Sequence, residues 1–213
     1  MSLKTIAAKI FAQYIYRKTL KWSNDPLKSQ EAVFKSLLNN ASNTKFGIDH
    51  DFGNIHSIQD FANKVPIRDY EELKPYVQEV VDGKSDILWP GKPIYFAKTS
   101  GTTSGAKYIP ITKESIKYQV EASRNAMLHY IHETGKADFV HGKMIFLQGS
   151  PELVKKKGVK QGRLSGIAAQ NITNNLQKNI IPSIETNSIH DRETKVNKEV
   201  YETKDQDIKF ISV

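Results

Sequence analysis

The 213-residue sequence contains no cysteine. A disulfide framework, a thiol nucleophile and a zinc site with cysteine ligands are therefore excluded. Long hydrophobic runs are also missing, since the longest covers a few residues and a bilayer-crossing helix needs roughly 20. The N-terminus lacks an apolar segment of the signal-peptide kind. We therefore expect a cytoplasmic protein with no membrane partner.

Acidic residues are the scarcer charge: 31 Lys+Arg against 23 Asp+Glu give a net charge of +8 at pH 7. A nucleic-acid-binding face usually interleaves its cations with aromatic side chains that stack on bases. The densest basic run, Lys155-Lys156-Lys157, has no aromatic residue nearby and is predicted to be a solvated loop. We expect a small anionic ligand and no nucleic acid, and a basic module that binds nucleic acid or an anionic surface is the remaining alternative.

The N-terminal part of the sequence carries helix signals. Apolar residues at three- and four-residue steps predict a helix that ends at Trp22, and Asp25-Pro26 is typical of the start of a second. Ser57 and Asp69 are suited to cap two further helices. Pro75 is expected to interrupt the last of these early, because proline cannot donate a backbone hydrogen bond.

The middle of the sequence predicts a strand, a loop and a second strand. Ile94–Ala97 and Tyr108–Ile111 are short apolar runs typical of strands, so the segment between them is the loop of a hairpin. That loop, Thr99–Gly105, contains five hydroxyl residues and two glycines, and Lys107 follows it. Glycine lets backbone N–H groups face a ligand, hydroxyls donate to phosphate oxygens, and lysine adds a positive charge. The pattern indicates polyphosphate binding.

This loop differs from the common P-loop, which has one glycine, four further residues and then Gly-Lys-Ser/Thr leading into a helix. Here three residues separate Gly101 from Gly105, Ala106 precedes Lys107, and a predicted strand follows. A flexible turn without a ligand is the alternative, because serine, threonine and glycine dominate turns. The seven residues of the loop are more than a hairpin turn needs, which favours the binding interpretation.

The segment Thr99–Lys107 resembles the first phosphate-binding motif of the adenylate-forming enzymes. Within that superfamily, Lys107–Pro110, Gly162–Ala168 and Val65–Glu71 resemble the auxin-responsive acyl-acid amido synthetase family in its bacterial-type form. Members of that family activate a carboxylic acid with ATP to an acyl-adenylate and then transfer the acyl group to an amine, usually that of an amino acid. The resemblance extends over essentially the whole chain.

The resemblance implies roles for the residues of this loop. The implied ATP-binding set is Thr99, Ser100, Gly101, Thr102, Thr103, Ser104, Gly105 and Lys107. Within it, Ser100, Thr102 and Thr103 are implied to donate to the β and γ phosphates. Lys107 is the implied catalytic residue, because charge grows on the departing pyrophosphate and a fixed cation stabilises it. The implied cofactors are ATP and the Mg²⁺ carried with it, the implied partners are a carboxylic acid and an amino acid, and no metal site of the protein's own is expected.

A long helix is predicted to follow Thr112 and to end before Gly135. Arg124 lies on it, and two interpretations stay open: a clamp on the substrate carboxylate, or a surface arginine on the polar face. His129 and His132 lie three residues apart on the same helix. No third ligand of suitable spacing accompanies them, so a zinc site is not expected.

The rest of the sequence alternates strands with helices. Met144–Leu147 and Ile208–Val213 are predicted strands, and a helix is predicted to begin at Gly166 and to reach Lys178. The turn at Gly162 fits either a wall of the ligand cleft or a tight packing turn. The predicted fold class is therefore α/β, with helices packed on a mixed β-sheet and ligands at strand ends.

The last predicted strand stops without an evident partner. The resemblance also implies adenine, ribose and metal motifs and a small C-terminal domain, which have no counterpart among these residues. We therefore expect residues 1–213 to be the N-terminal portion of the large adenylate-forming domain. The expected function is ATP-dependent acyl-acid amido synthesis by the complete protein, with this chain inactive alone. A nucleotide-binding piece without catalysis is the alternative, and the sequence does not choose the acyl acid, the amine or the oligomeric state.

Overall fold

The computed structural model describes residues 2–99, 107–147, 150–172 and 177–212. Contacts between Cα atoms divide the chain into two units. The first comprises Met1–Lys21, Glu114–Leu153 and Gly162–Val213, and the second comprises Trp22–Lys113 and Val154–Gln161. Each unit combines helices with strands, which confirms the predicted α/β class.

Helices come first along the chain, as the sequence predicts. The described helices are α1 (Leu3–Ser23), α2 (Pro26–Ala41), α3 (Lys45–Asp49), α4 (Ile58–Lys64), α5 (Tyr70–Val81), α6 (Lys113–Thr134), α7 (Leu164–Gln170), α8 (Ile184–Asn187) and α9 (Arg192–Thr203). The strands are β1 (Tyr95–Lys98), β2 (Tyr108–Ile111), β3 (Lys143–Phe146), β4 (Val154–Lys156), β5 (Val159–Gly162), β6 (Ile180–Ile181) and β7 (Ile208–Ser212). Within the described part of the chain, no helix is both long and apolar enough to cross a membrane.

Local capping signals set the starts of the helices in the second unit. The Asp25 and Ser57 side chains accept backbone N–H bonds at the starts of α2 and α4, and Asp69 forms a reciprocal capping box with Glu72 at the start of α5. The expected interruption at Pro75 is wrong, because α5 continues through it to Val81. Proline removes a single backbone donor, and the capping box together with a buried valine face stabilises the other turns.

The strands of the second unit form one sheet in the order β2-β1-β5-β4. Strands β1 and β2 form the predicted antiparallel hairpin, with Tyr95 opposite Ile111 and Lys98 opposite Tyr108. The basic run at Lys155 was expected to be a solvated loop, and that expectation is wrong. Its first residues lie in β4, which pairs antiparallel with β5 across a turn at Lys157. Positive φ values at Lys157 and Gly158 suit such a two-residue hairpin turn.

The core of the second unit lies between helix α5 and the sheet. Its buried members are Val77, Val80, Val81, Ile87, Phe96 and Val159, and the partly buried Tyr70, Tyr76, Leu88 and Tyr108 pack against them. Phe96 of β1 is fully buried, at 0% exposure. Removing this apolar surface from water fixes β1 against α5 and thereby fixes where the hairpin loop begins.

The first unit contains a parallel sheet in the order β6-β3-β7 and a helical core. The helical core consists of Ala12, Ile15, Leu128, Ile131 and Ala137. The expectation that the last strand lacks a partner is wrong, because β7 pairs in parallel with β3 and Phe210 lies opposite Met144. The crossover between two parallel strands is long, so no local signal could have shown this pairing.

Helix α7 ends at Gln170, so the prediction of one continuous helix to Lys178 is wrong, and residues 173–176 of that prediction lie outside the described residues. The Asn171 side-chain amide donates to the Ile167 carbonyl at 2.7 Å, and the Asn171 backbone N–H donates to the Ala168 carbonyl at 3.0 Å. Asparagine competes for backbone groups in this way and favours helix ends over helix interiors.

Candidate nucleotide site

The predicted polyphosphate loop joins β1 to β2 in the second unit. Residues Ser100–Ala106 lie outside the described residues, so the phosphate contacts predicted for Ser100, Thr102 and Thr103, and the roles of Gly101, Ser104 and Gly105, stay predictions. The structure does describe the two residues that flank this segment. The Thr99 backbone N–H donates to the Lys107 carbonyl at 3.1 Å, which closes the base of the loop.

Tyr70, the first residue of α5, joins that helix to the end of the loop. Its hydroxyl accepts a hydrogen bond from the Tyr108 backbone N–H at 2.8 Å. The same hydroxyl lies 3.4 Å from the Tyr108 carbonyl oxygen and donates to it. Both polar groups of one backbone residue therefore bind one side chain, directly after the predicted catalytic lysine.

The Lys107 side chain is half-buried and lies beside the same tyrosine. Its ammonium nitrogen is 5.2 Å from the centroid of the Tyr70 ring, within the range of a cation–π interaction. The ring therefore holds the cation at the end of the loop. A fixed ammonium group next to a segment rich in hydroxyls and glycines has the donor chemistry that a polyphosphate requires.

Sequence reasoning did not identify Tyr70 by itself, although it lies in the segment Val65–Glu71 that carries part of the family resemblance. The two hydrogen-bonded residues, Tyr70 and Tyr108, are 38 positions apart in the chain. The available signal was a tyrosine directly after the capping residue Asp69. The neighbouring sequence does not show which residue that tyrosine binds. The Phe96 ring packs edge-on against the Tyr108 ring, with the ring centroids 6.1 Å apart.

Arg124 lies on α6 in the first unit. Its Nε and Nη2 donate to the Asn125 side-chain oxygen at 3.2 and 3.0 Å, and its guanidinium carbon lies 5.5 Å from the Phe11 ring centroid. Of these contacts, only the one with Phe11 joins α6 to α1, and it fits a packing role for this arginine. A clamp on the substrate carboxylate stays a prediction.

His129 and His132 also serve the packing of α6 on α1. The His129 Nε2 is 3.0 Å from the Thr19 hydroxyl, and the His132 ring stacks on the Tyr16 ring with centroids 3.7 Å apart. Among the described residues, no three His, Asp or Glu side chains are arranged to hold a metal ion.

The glycines of the segment Gly162–Ala168 permit close packing in the first unit. A Cβ on Gly166 would lie 2.4 Å from the Ser150 carbonyl oxygen, and one on Gly162 would lie 2.5 Å from Leu153 Cδ2. At distances under about 3 Å a neighbouring atom must shift, which the Leu153 side-chain end can do more easily than the Ser150 backbone. Of the two interpretations of the turn at Gly162, this geometry favours a packing turn.

We expect Gly166→Ala to destabilise the protein by about 1–3 kcal/mol, because the new methyl group meets backbone that cannot move aside easily. The steric cost should exceed the gain of about 1 kcal/mol that alanine brings inside a helix. Urea unfolding measures the change. The matched control is Gly53→Ala, where the added Cβ would meet nothing within 4 Å. For this variant we expect the free energy of unfolding to stay the same or to rise slightly. Equal stability of the Gly166→Ala variant and the parent would contradict the packing assignment.

Glu202 is a polar residue of the first unit with several hydrogen-bond partners. Its Oε2 accepts from the Ser183 backbone N–H at 2.7 Å, and its Oε1 accepts from the Ser183 and Thr186 hydroxyls at 2.8 and 2.5 Å. Burial acts to raise the pKa of the Glu202 carboxyl, but the hydrogen bonds from Thr186 and Ser183 outweigh it and hold the pKa below its ordinary value of 4.5.

Glu202→Gln should therefore lower the free energy of unfolding by about 1 kcal/mol near neutral pH, because charge-assisted bonds are lost at a partly exposed site where solvent screens them. A carboxyl group with a lowered folded pKa stabilises the protein above its unfolded pKa, and this contribution disappears as the pH falls through the folded pKa. The difference between the variant and the parent should shrink in acid. Urea titrations near pH 7 and about pH 3 test this, with the exposed Glu193→Gln as control. A difference that is the same at both pH values would contradict it.

Comparison with known proteins agrees with the sequence resemblance. The GH3 family N-terminal domain matches residues 16–200. The jasmonoyl-L-amino acid synthetase JAR6 of Nicotiana attenuata is 26% identical over 181 residues, which are 82% of this chain and 30% of that protein. The indole-3-acetic acid-amido synthetase GH3.2 of Arabidopsis thaliana is 31% identical over 96 residues, 44% of this chain and 18% of that protein.

The solved structure of the AtGH3.15 acyl acid amido synthetase in complex with 2,4-DB matches with a TM-score of 0.62 and 22% identity. The match covers 73% of this chain and 27% of that one. At this identity the structural likeness shows the fold. The chain spans less than a third of the length of these relatives. Since the domain model matches most of the sequence and the fold agrees, the chain belongs to the GH3 family and corresponds to its N-terminal domain.

Proposed function

We propose that this chain is the triphosphate-binding part of an ATP-dependent acyl-acid amido synthetase. The enzyme would adenylate a carboxylic acid and then transfer the acyl group to an amine, in our proposal that of an amino acid. The GH3 relatives are amido synthetases by name, which supports the reaction class. The single observation that carries the proposal is the half-buried Lys107, positioned on Tyr70 at the end of a loop made of hydroxyl residues and glycine.

The residues of the loop would orient the triphosphate for attack by the substrate carboxylate. Backbone N–H groups and the hydroxyls of Ser100, Thr102 and Thr103 would donate to phosphate oxygens, while Lys107 would neutralise the charge that grows on pyrophosphate as it leaves. No general base is needed, because a carboxylate is already a nucleophile. Most of the rate gain would come from orientation and from preorganised positive charge.

The described residues also bear on how Mg²⁺ would be held. They offer no cluster of three carboxylate or imidazole groups, whereas a metal ion bound to ATP needs only one or two protein ligands because phosphate oxygens and water supply the rest. In our proposal Mg²⁺ therefore enters with ATP and adds positive charge at the phosphates.

Arg124 is proposed to bind the substrate carboxylate, for which a planar guanidinium group is suited.

The reaction is tested with this chain continued to the full length of its relatives, here named the extended protein. Acid-dependent exchange of labelled pyrophosphate into ATP reports adenylation without requiring the amine. A panel of aryl and alkyl acids gives the acid, and amide formation with individual amino acids gives the acceptor. Exchange that depends on an added acid supports the proposal. The proposal would be contradicted if no acid of a broad panel supported exchange and the extended protein did not bind ATP.

A further inference from the structure

Tyr70 and Tyr76 lie on the same helix and pack against the same core, but their hydroxyl groups have different partners. The Tyr76 hydroxyl donates to the Asp49 carboxylate at 2.8 Å, within a helical region of the second unit. The Tyr70 hydroxyl binds both backbone groups of Tyr108, the residue directly after Lys107. Among the described contacts of these two tyrosines, those of Tyr70 reach the end of the predicted polyphosphate loop.

The two contacts of Tyr70 act on different properties of that loop end. The hydroxyl fixes the backbone of Tyr108, so it sets where β2 begins and in which direction Lys107 leaves the strand. The ring, 5.2 Å from the Lys107 ammonium nitrogen, restricts the long lysine side chain. A lysine that is held in one region loses less conformational freedom when it binds phosphate than a lysine that is free in solution.

The support for Tyr70 is itself rigid. The tyrosine directly follows Asp69, whose capping box with Glu72 fixes the first turn of α5. On the other side of the hairpin, Thr99 is bonded to the Lys107 carbonyl, and the buried Phe96 precedes it by three residues. The start of α5 and both strands therefore meet at one point, where each fixes the others.

We infer that Tyr70 is a positioning residue of the nucleotide site, which orients Lys107 and the end of the loop toward the triphosphate of ATP. This inference rests on the proposed function. Tyr70 makes no contact with substrate in this role and acts through Lys107 and Tyr108. This role predicts that loss of the Tyr70 hydroxyl raises the KM for ATP and leaves the affinity for the acyl acid unchanged.

The test compares Tyr70→Phe with Tyr76→Phe in the extended protein, by acid-dependent pyrophosphate exchange. Each variant loses one hydroxyl from the same helix and keeps its ring. We expect Tyr70→Phe to raise the KM for ATP about fivefold to tenfold, because the part-buried hydrogen bonds that hold the backbone beside Lys107 are lost. The KM for the acid should change by less than about twofold, and Tyr76→Phe should change neither constant.

The two Michaelis constants distinguish a positioning role of Tyr70 from a merely structural one. Partial unfolding reduces the amount of active enzyme and so lowers the apparent kcat, but it leaves the KM values of the folded molecules unchanged. Tyr70→Leu removes the ring as well, and we expect about a further threefold rise in the KM for ATP from the lost cation–π contact. In a Lys107→Ala background this additional rise should vanish, because the cation is already absent.

Two results would overturn the inference: an unchanged KM for ATP in Tyr70→Phe, or an equal rise in the KM values for ATP and acid. Either can occur while Lys107→Ala impairs exchange strongly, in which case the proposed function stands and only the role of Tyr70 fails. If Lys107→Ala leaves exchange unchanged, the phosphate assignment itself is wrong, whatever the tyrosine variants do.

Discussion

Replacing Lys107 with alanine is expected to lower kcat/KM for ATP in acid-dependent pyrophosphate exchange by roughly 10- to 150-fold. A charge-assisted contact contributes about 1.5–3 kcal/mol, and each 1.4 kcal/mol corresponds to about a factor of ten. The effect should appear in both constants: KM for ATP rises because Lys107 contacts the triphosphate of bound ATP, and kcat falls because the lysine also stabilises the charge that grows on pyrophosphate as the bond between the α and β phosphates breaks. Thr102→Ala removes a neutral donor and should cost less.

The control for this measurement is Lys92→Ala. Lys92 is an exposed lysine of the same unit, so its substitution makes the same change in net charge away from the loop. A long-range effect of charge would lower exchange in both variants and would fade at high salt. If Lys107→Ala and Thr102→Ala both left exchange and ATP affinity at the level of the control, Thr99–Lys107 would be a turn without a ligand.

The 213 residues as a separate protein are expected to make no amide. The chain covers 30% of the length of the jasmonoyl synthetase relative, and its proposed loop would hold only the triphosphate. Nothing proposed for this chain fixes the adenosine. Precise orientation of reacting groups supplies about 7–11 kcal/mol of a barrier reduction, so a loosely held substrate loses most of the rate.

The measurement gives the 213-residue chain and the extended protein the same ATP, Mg²⁺, acids and amino acids. Acyl-adenylate and amide are quantified by mass spectrometry after equal times. We expect both products from the extended protein and neither from the chain alone. Product formed by the chain at a rate comparable to that of the extended protein would show that residues described here as structural complete the site.

Much of the local structure was predictable because it depends on neighbours in the sequence. Asp25, Ser57 and Asp69 cap helices as expected, since a capping side chain reaches a backbone N–H two or three residues ahead. The β1–β2 hairpin was predictable for a related reason, because two apolar runs flank one loop. The position of Lys107 at the end of that loop follows from the same pattern.

The same reasoning failed where a local signal competed with a distant contact. Pro75 would break an isolated helix, but α5 gains more from its buried face against Phe96 than it loses at one donor. The basic run at Lys155 looks like a solvated loop by composition alone. It forms a strand because β5 pairs beside it and carries the buried Val159 into the core.

The sequence by itself determined the family, the α/β class and the loop that we propose binds ATP, because these depend on residue types at short, fixed spacings. Only the tertiary structure decided that β7 pairs with β3, that Gly166 lies against Ser150, and that Tyr70 binds Tyr108. Each of these contacts joins positions far apart in the chain. Their free energy comes from surfaces brought together only after the whole unit has folded, so no local pattern can encode them.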